Sequence, residues 1–482
     1  MTDAASSREA VARVRPALAP AVTAIAPVID AFADCGRELA LVGGSVRDAA
    51  LGRATSDLDL TTDAPPQEIQ RLVRPHADAL WDTGIRFGTV GMRAGGYQVE
   101  ITTYRAESYE PESRKPSVAF GRDLFEDLVR RDFTVNAMAL RLPSGALEDP
   151  HGGMADLVAG VIRTPGAPQE SFGDDPLRMV RAARFVAQLG FRVDPGTYQA
   201  MVDMAPRLQI VSAERVRDEL IKLILGDHAA DGVRLLVASG LAQVILPEVP
   251  ALSLEIDEHR RHKDVYEHSL TVLEQAMALE SSHEPTSEPD FVLRFAALLH
   301  DIGKPRTRKF TDDGVSFHHH EVVGAKMTRK RMRELRFAND VTADVSRLVE
   351  LHLRFHGYGS GEWTDSAVRR YVRDAGPLLP RLHKLTRADS TTRNRRKAAA
   401  LQTTYDQLEE RIAELAAQEQ LDAVRPELDG QQIMAALGIE PGPQVGAAYR
   451  FLLDLRLERG TIGAEAATAE LKQWWAQRQT SH

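Results

Sequence analysis

The chain predicts an α+β protein: a head built on a small mixed sheet, then a largely helical remainder. Short apolar or alternating runs at 39–42, 58–60 and 98–104, split by Gly and Pro turns, read as strands of one sheet. From about residue 165 onward, apolar residues recur at helical spacing. With 482 residues the chain is long enough for about three domains, and 43% hydrophobic with 27% charged residues is ordinary for a soluble globular protein.

Residues 1 to about 35 read as helix interrupted by prolines. The most apolar run, 16–29, contains three prolines and is shorter than the roughly 18 residues that suggest a membrane span. No membrane association is therefore expected. The single Cys35 excludes an internal disulfide framework and suits a reducing cytoplasm. The formal charge of −9 argues against a protein that coats nucleic acid. Local basic clusters remain, at Arg178, Arg181, Arg184 and Arg192 and across 384–397, and the local field is what a polyanion meets.

The densest chemistry lies in 39–61, LALVGGSVRDAALGRATSDLDLT. A buried strand at 39–42 is broken by Gly43 and Gly44, Ser45 stands where an N-cap belongs, and 46–51 reads as a helix closed by Gly52. A Gly-Gly turn entering a helix can bring bare N–H groups to a phosphate, and Arg47 can add a forked contact. Asp57 and Asp59 are two apart on an extended segment, so their carboxylates share a side. Such a pair suits Mg²⁺ and an in-line phosphoryl displacement. Taken separately, the turn and the acids are ordinary loop features; together they are specific. The arrangement resembles the first motif of polymerase-β-like nucleotidyltransferases. The intervening Val46-Arg47-Asp48 narrows the resemblance to class II tRNA CCA-adding enzymes and the related bacterial poly(A) polymerases, which implies Gly43, Gly44, Arg47 and Asp48 at the triphosphate.

The later motifs follow the same family. Glu100 lies inside the strand 98–104; it is an edge-strand charge or, as the resemblance implies, the third acid beside Asp57 and Asp59. The segment 84–90 looks more like the CCA-adding form. Residues 105–123 are polar and suggest a mobile loop. Arg130-Arg131-Asp132-Phe133-Thr134-Val135-Asn136-Ala137 resembles the second family motif. Arg131 offers a cation to phosphate, and Asp132 and Asn136 can bond a ribose hydroxyl. The bland alternative is a helix start capped by Asp132. Pro176 suits a first helical turn, and Asp175 and Arg178, three apart, are expected on one helix face. They make either a surface ion pair or, by resemblance, a protein template for the base edges of CTP and then ATP. The family usually has Glu where this chain has Asp174. Arg181 continues that helix toward phosphate or water. Ser212 is expected to cap a supporting helix carrying an Arg215–Glu219 pair.

A second constellation spans 260–390. His268, His300-Asp301, His320, His352 and Asp389 sit in helical segments, with Gly303 and Pro305 ending one. The run His300-Asp301-Ile302-Gly303-Lys304 resembles the HD metal-dependent phosphohydrolase domain. That resemblance implies His268, His300, Asp301 and Asp389 as ligands of a divalent metal (Mn, Ni, Mg or Fe), with His320 and His352 for a second metal or a phosphate. Leu408, Ile412 and Leu415 recur as a packing stripe before a helical tail.

The expected organisation is an N-terminal helical segment 1–36, nucleotidyltransferase head 37–165, nucleotide-selecting neck 166–255, all-α HD domain 256–400 and tRNA-binding tail 401–482. The implied activity is Mg²⁺-dependent addition of CCA to tRNA from CTP and ATP with release of pyrophosphate. Poly(A) addition, an HD phosphohydrolase with a degenerate head, and a non-catalytic RNA-binding module are the alternatives.

Overall fold

The computed structural model describes residues 2–54, 56–81, 84–85, 88–104, 121, 123–253, 265–311, 314–355, 364–390, 395–419 and 425–479. Most of the expected loop 105–123, parts of the 84–90 turn and residues 391–394 of the second basic stretch lie outside them. Two compact units divide the chain, residues 1–250 and 251–482.

The first unit is built on strands β1 (Leu39–Val42), β2 (Asp57–Thr62), β3 (Ala79–Trp81), β4 (Thr89–Ala94), β5 (Tyr97–Thr103), β6 (Ala139–Leu142) and β7 (Leu147–Glu148), in sheet order β3-β4-β5-β2-β1-β6-β7. The sheet is mixed: β2 and β5 run parallel, whereas β1 is antiparallel to both β2 and β6. β1 is buried along its length, as its unbroken apolar run requires at the centre of a covered sheet. On β2 the acids at 57 and 59 are open while Leu58 and Leu60 are buried, which is the alternation a two-residue repeat dictates.

The N-terminal helices Thr2–Ala24 and Ala26–Asp34 belong to this unit, with Val14, Leu18, Ile25 and Phe32 buried. No single described helix is long and apolar enough to cross a membrane. Beyond the sheet, helix Leu177–Leu189 packs against helices Ala213–Ile224 and Ala229–Ala238.

The second unit is helical among its described residues apart from the hairpin of strands Lys309–Thr311 and Gly314–Ser316. Helices Val265–Ser282, Phe291–Leu299, Asn339–Leu351 and Leu379–Asp389 form its core, with helix His320–Glu334 against Asn339–Leu351. The expected boundary at 400 falls inside one continuous helix, Arg395–Glu419. That helix is held to the bundle by Arg387, which donates to Gln402, Asp406 and Glu409, and by Tyr405 packed on Phe355 with centroids 4.1 Å apart. Leu408, Ile412 and Leu415 are buried, as their spacing predicts. Lys384 and Arg387, expected in a basic surface stretch, instead point inward; Lys384 Nζ donates to the Pro285 carbonyl at 2.7 Å. The tail helices Gly430–Leu437, Pro443–Arg459 and Ala464–Gln479 enclose their own cluster around Ile433, Leu452 and Leu471.

Candidate functional site

In the first unit, a cleft of about 440 Å³ is lined by Gly43, Gly44, Arg47, Asp57, Asp59, Glu100, Arg131, Asp132, Asn136 and Arg181. Leu58, Gln98, Arg184, Phe185 and Lys222 complete its wall. The first ten come from five separate stretches of chain, and β-sheet register explains the acidic part. Parallel pairing sets Asp59 directly across from Glu100 and Asp57 across from Gln98, so three carboxylates share one face.

The helix after the glycine turn begins earlier than expected. It spans Gly44–Ala50 with Gly43 as its N-cap, and Ser45 lies inside it. Ser45 does other work: its hydroxyl accepts from the Asp59 N–H at 3.0 Å and donates to the Asp57 carbonyl at 3.2 Å. That tie locks the helix start to the acidic strand. Gly43 adopts φ +66, and a Cβ there would meet Arg131 Nη1 at 3.3 Å and Asp59 Oδ2 at 3.4 Å. A side chain at this position would be strained and would crowd the cleft.

Water reaches Asp59 through the cleft mouth, yet protein surrounds it at depth. Burial pushes its carboxyl above the usual range; Arg131 pulls it back, and Glu100 and Asp57 push it up again. Crowded acids of this kind, all oxygen donors, fit a hard divalent cation.

The opposite wall is a chain of ion pairs. Asp132 accepts from Arg181 Nε at 2.9 Å and Nη2 at 2.6 Å through one oxygen, and from Asn136 Nδ2 at 2.9 Å through the other. Arg47 donates to Asn136 Oδ1 at 2.7 Å and forks onto Asp48. Burial alone would raise the Asp132 carboxyl, but the Arg181 charge and the Asn136 and Arg181 hydrogen bonds hold it well below the carboxylate range. Asp132 is thus no helix cap: the segment following it is a short 3₁₀ turn, Thr134–Asn136. Glu219, buried on helix Ala213–Ile224, reaches Arg181 at 3.3 Å and Arg184 at 2.7 Å. The Arg184 guanidinium lies 4.0 Å over the Phe185 ring, where burial and the Arg181 charge push it down to about 10. It remains protonated at neutral pH.

Three expected members stand elsewhere. Asp48 is paired to Arg47 and is absent from the cleft lining. Asp175 and Arg178 do not share a helix face: helix Pro168–Asp174 ends first, Asp175 is extended, and the next helix starts at Leu177. Pro176 is the cause, since the residue before proline is driven to extended backbone. Asp175 bonds Arg215 at 2.6 Å and the Leu177 N–H, and Arg178 bonds Ser171 Oγ and the Arg130 carbonyl. The expected Arg215–Glu219 pair is replaced by these contacts, and Ser212 makes no side-chain cap bond. Glu219, Phe185 and Lys222 were not legible as site residues, because no local pattern sets them apart from ordinary helix residues.

In the second unit, the His and Asp side chains converge. His268, His300 and Asp389 form one potential metal-holding trio, and Asp301, His320 and His352 form another. Asp301 faces both: Oδ2 lies 3.2 Å from His300 Nε2, and Oδ1 lies 3.1 Å from His320 Nε2. His268 Nε2 is 2.9 Å from Asp389 Oδ1. The ring nitrogens away from the cluster show the tautomers. Nδ1 of His300, His320 and His352 each meets the carbonyl three residues back, at 2.7–2.8 Å. A carbonyl only accepts, so each Nδ1 carries a proton, and each Nε2, once it holds no proton of its own, presents a lone pair. Those three Nε2 atoms are buried without a hydrogen-bond partner, while Asp301 Oδ2 lies 2.9 Å from Lys304 Nζ. Buried orphaned donors of this kind, oriented by carbonyls behind them, fit metal ligands. Electrostatics separates two of the histidines. Burial lowers both, but Asp301 and Asp389 bring His300 up to about 10, whereas the His300 charge helps push His352 down to about 3. Gly303 permits the turn after Asp301, since a Cβ there would lie 2.1 Å from the His320 carbonyl.

The sheet, the three carboxylates and the glycine turn define a nucleotidyltransferase head, joined in one chain to an HD-type domain. Residues 39–163 match the poly A polymerase head domain, 190–252 the probable RNA and SrmB-binding site of polymerase A, and 265–394 the HD domain. The chain is 34% identical over 446 residues to an A-adding tRNA nucleotidyltransferase of Deinococcus radiodurans, covering 91% of this chain and 95% of that one. It is 31% identical over 422 residues to a CCA-adding enzyme of Streptococcus suis, covering 87% and 88%. The fold is similar to that of the Bacillus stearothermophilus CCA-adding enzyme in complex with CTP, with TM-score 0.67, 24% identity and coverage of 97% and 100%. The chain belongs to the tRNA nucleotidyltransferase family.

Proposed function

We propose that this enzyme adds C, C and A to tRNA 3′ ends from CTP and ATP, with Mg²⁺ as its metal and pyrophosphate as leaving group. The observation that carries this reading is the meeting of Asp57, Asp59 and Glu100 with the Gly43–Gly44 turn and the Arg131-Asp132 motif in one cleft. Mg²⁺ held by the acids supplies charge neutralisation at the reacting oxygens. Gly43 and Gly44 seat the triphosphate, and Arg47 and Arg131 balance its charge. Asp132 and Asn136 hold the ribose side, with Arg181 fixed in place between Asp132 and Glu219. Most of the rate gain comes from positioning and charge stabilisation. Asp175 and Arg178 read the base; doing so exchanges their bonds to Arg215 and the Arg130 carbonyl for base edges. Basic residues grip the tRNA backbone, so affinity falls as salt rises.

The test is incorporation into tRNA lacking CCA, with CTP and ATP given separately and together. CTP alone is expected to add two residues and both nucleotides three. Repeated A addition without C incorporation overturns the reading in favour of a poly(A) polymerase. Addition of A only to tRNA already ending in CC assigns the narrower activity that names the Deinococcus relative.

The orphaned histidine nitrogens favour a second activity beside the first: hydrolysis of a phosphoester at the HD cluster. Water attacks phosphorus, the bond to the alcohol oxygen breaks, and the alcohol departs with a proton. A divalent cation there supplies Lewis-acid charge. Chelator-stripped protein is expected to lose hydrolysis and regain it with one divalent metal. His300→Ala should lower both bound metal per chain and hydrolysis, the latter by at least about a hundredfold. Hydrolysis that survives both treatments removes this reading.

A further inference from the structure

We infer that Lys222 binds the terminal phosphates of the incoming nucleoside triphosphate. This role deepens the nucleotide addition proposed above and rests on it.

Among the described residues five cations line the cleft, and protein carboxylates hold four of them. Arg47 forks onto Asp48, and Arg131 meets Asp127 Oδ2 at 3.0 Å. Arg181 and Arg184 share Glu219, and Arg181 is also paired to Asp132. The fifth, Lys222, makes no hydrogen bond or ion pair through its ammonium group. The helix sets where that ammonium can go. Glu219 points inward from helix Ala213–Ile224 and reaches Arg184 at 2.7 Å. Lys222 stands three residues further, on the same side of the helix one turn along, but exposed. The buried anchor thus fixes the rotation of the helix, and the lysine stem carries its charge into the open cleft.

The wall that bears Lys222 runs on from the triphosphate side. One ring, Phe185, is shared by three guanidinium groups, with Arg184 at 4.0 Å, Arg47 at 5.2 Å and Arg181 at 5.8 Å from its centroid. Arg47 comes from the helix after the glycine turn, where the triphosphate is proposed to sit. A nucleoside triphosphate carries more negative charge than one Mg²⁺ cancels. The arginines already face carboxylates, so the unpaired ammonium is the cation with charge to spare. Lysine is a compact point charge with three donors on a flexible stem, which lets it follow phosphate oxygens as pyrophosphate departs. A phosphodiester at the RNA end is the competing anion, and the test separates the two.

Equilibrium binding to the full-length protein, with Mg²⁺ and without tRNA, compares CTP with CMP, which differ by the terminal phosphates alone. Lys222→Gln is expected to weaken CTP binding roughly ten- to a hundredfold, as loss of a charge-assisted contact should, and to leave CMP binding near wild type. Pyrophosphate should become a weaker competitor of CTP by a similar factor. Lys222→Arg should recover most of the CTP affinity. The melting temperature should move in neither variant, since the side chain is exposed. Equal losses on CTP and CMP, or no loss on either, overturn the role. Unchanged CTP binding with weakened tRNA binding overturns it too, and assigns Lys222 to an RNA phosphate. A wild-type protein that binds CTP yet adds no nucleotide to tRNA fails the proposed function, and Lys222 is then judged by the same comparison of CTP with CMP. A wild-type protein that binds neither nucleotide overturns both.

Discussion

Replacing Asp59 with alanine is expected to cut nucleotide incorporation by roughly a thousandfold or more, and Asp57→Ala by a similar factor. The acids converge by register, with Asp59 opposite Glu100 on a neighbouring parallel strand and Ser45 holding the Asp57–Asp59 backbone against the helix. Removing one carboxylate takes away one of the proposed cation ligands and leaves Arg131 with less opposing charge. Asp59→Asn preserves shape and removes only the charge, so it should fall nearly as far. Binding to tRNA and the thermal melting temperature should stay close to wild type, since both acids lie open at the cleft. The pH profile is a second check. Burial raises the Asp59 carboxyl, so it takes up a proton at a higher pH than an ordinary aspartate at about 4. At limiting Mg²⁺, incorporation should therefore decline as pH falls from neutrality, before that ordinary range is reached. Saturating Mg²⁺ should move the decline to lower pH, because cation and proton compete for the same oxygens. An Asp59→Asn protein that keeps wild-type incorporation would remove the catalytic assignment.

Asp132→Ala is expected to destabilise the protein by about 3–5 kcal/mol, the usual cost of deleting one partner from a buried ion pair. Asp132 and Glu219 are both buried and share Arg181, and Glu219 also holds Arg184. Deleting Asp132 leaves two guanidinium groups facing one carboxylate. Urea unfolding measures the loss. The pH dependence has a definite sign. The folded Asp132 carboxyl is depressed below its unfolded value, so its contribution is fully present above about pH 4 and is lost as pH falls further. The gap between wild type and Asp132→Asn should thus be largest near neutrality and narrow in acid. A gap unchanged down to pH 2 would show that the Arg181 pair does not stabilise the fold. Incorporation should fall as well, because Arg181 loses the carboxylate that aims it into the cleft.

These two sites differ in how much of them could be read beforehand. Asp57 and Asp59 share a face by the two-residue strand repeat, which needs no knowledge of the rest of the chain. The Gly43-Gly44 turn and the His300-Asp301 run are equally local. Residue type places Ser45 at the cap, yet the helix starts at Gly44 and the hydroxyl serves the acidic strand instead. Pro176 reads as a first-turn residue, and its steric effect on the residue before it, which takes Asp175 off the helix, is what that reading passes over. The Arg215–Glu219 pair was credible on helix spacing alone and lost to better partners elsewhere.

What the sequence by itself determined is therefore the set of elements and chemical groups: the mixed sheet followed by helices, the acidic pair behind a glycine turn, and the histidines and aspartates of the second unit. Strand and helix periodicities, turn residues and short spacings are short-range, and they are written into neighbouring positions. Only the tertiary structure decided which long side chains meet. Arg181 reaches Asp132 and Glu219, Arg178 turns to the Arg130 carbonyl, and Asp301 stands between two histidine groups. Flexible guanidinium and carboxylate groups select partners by distance and desolvation in the packed state, and their partners lie dozens of residues away along the chain.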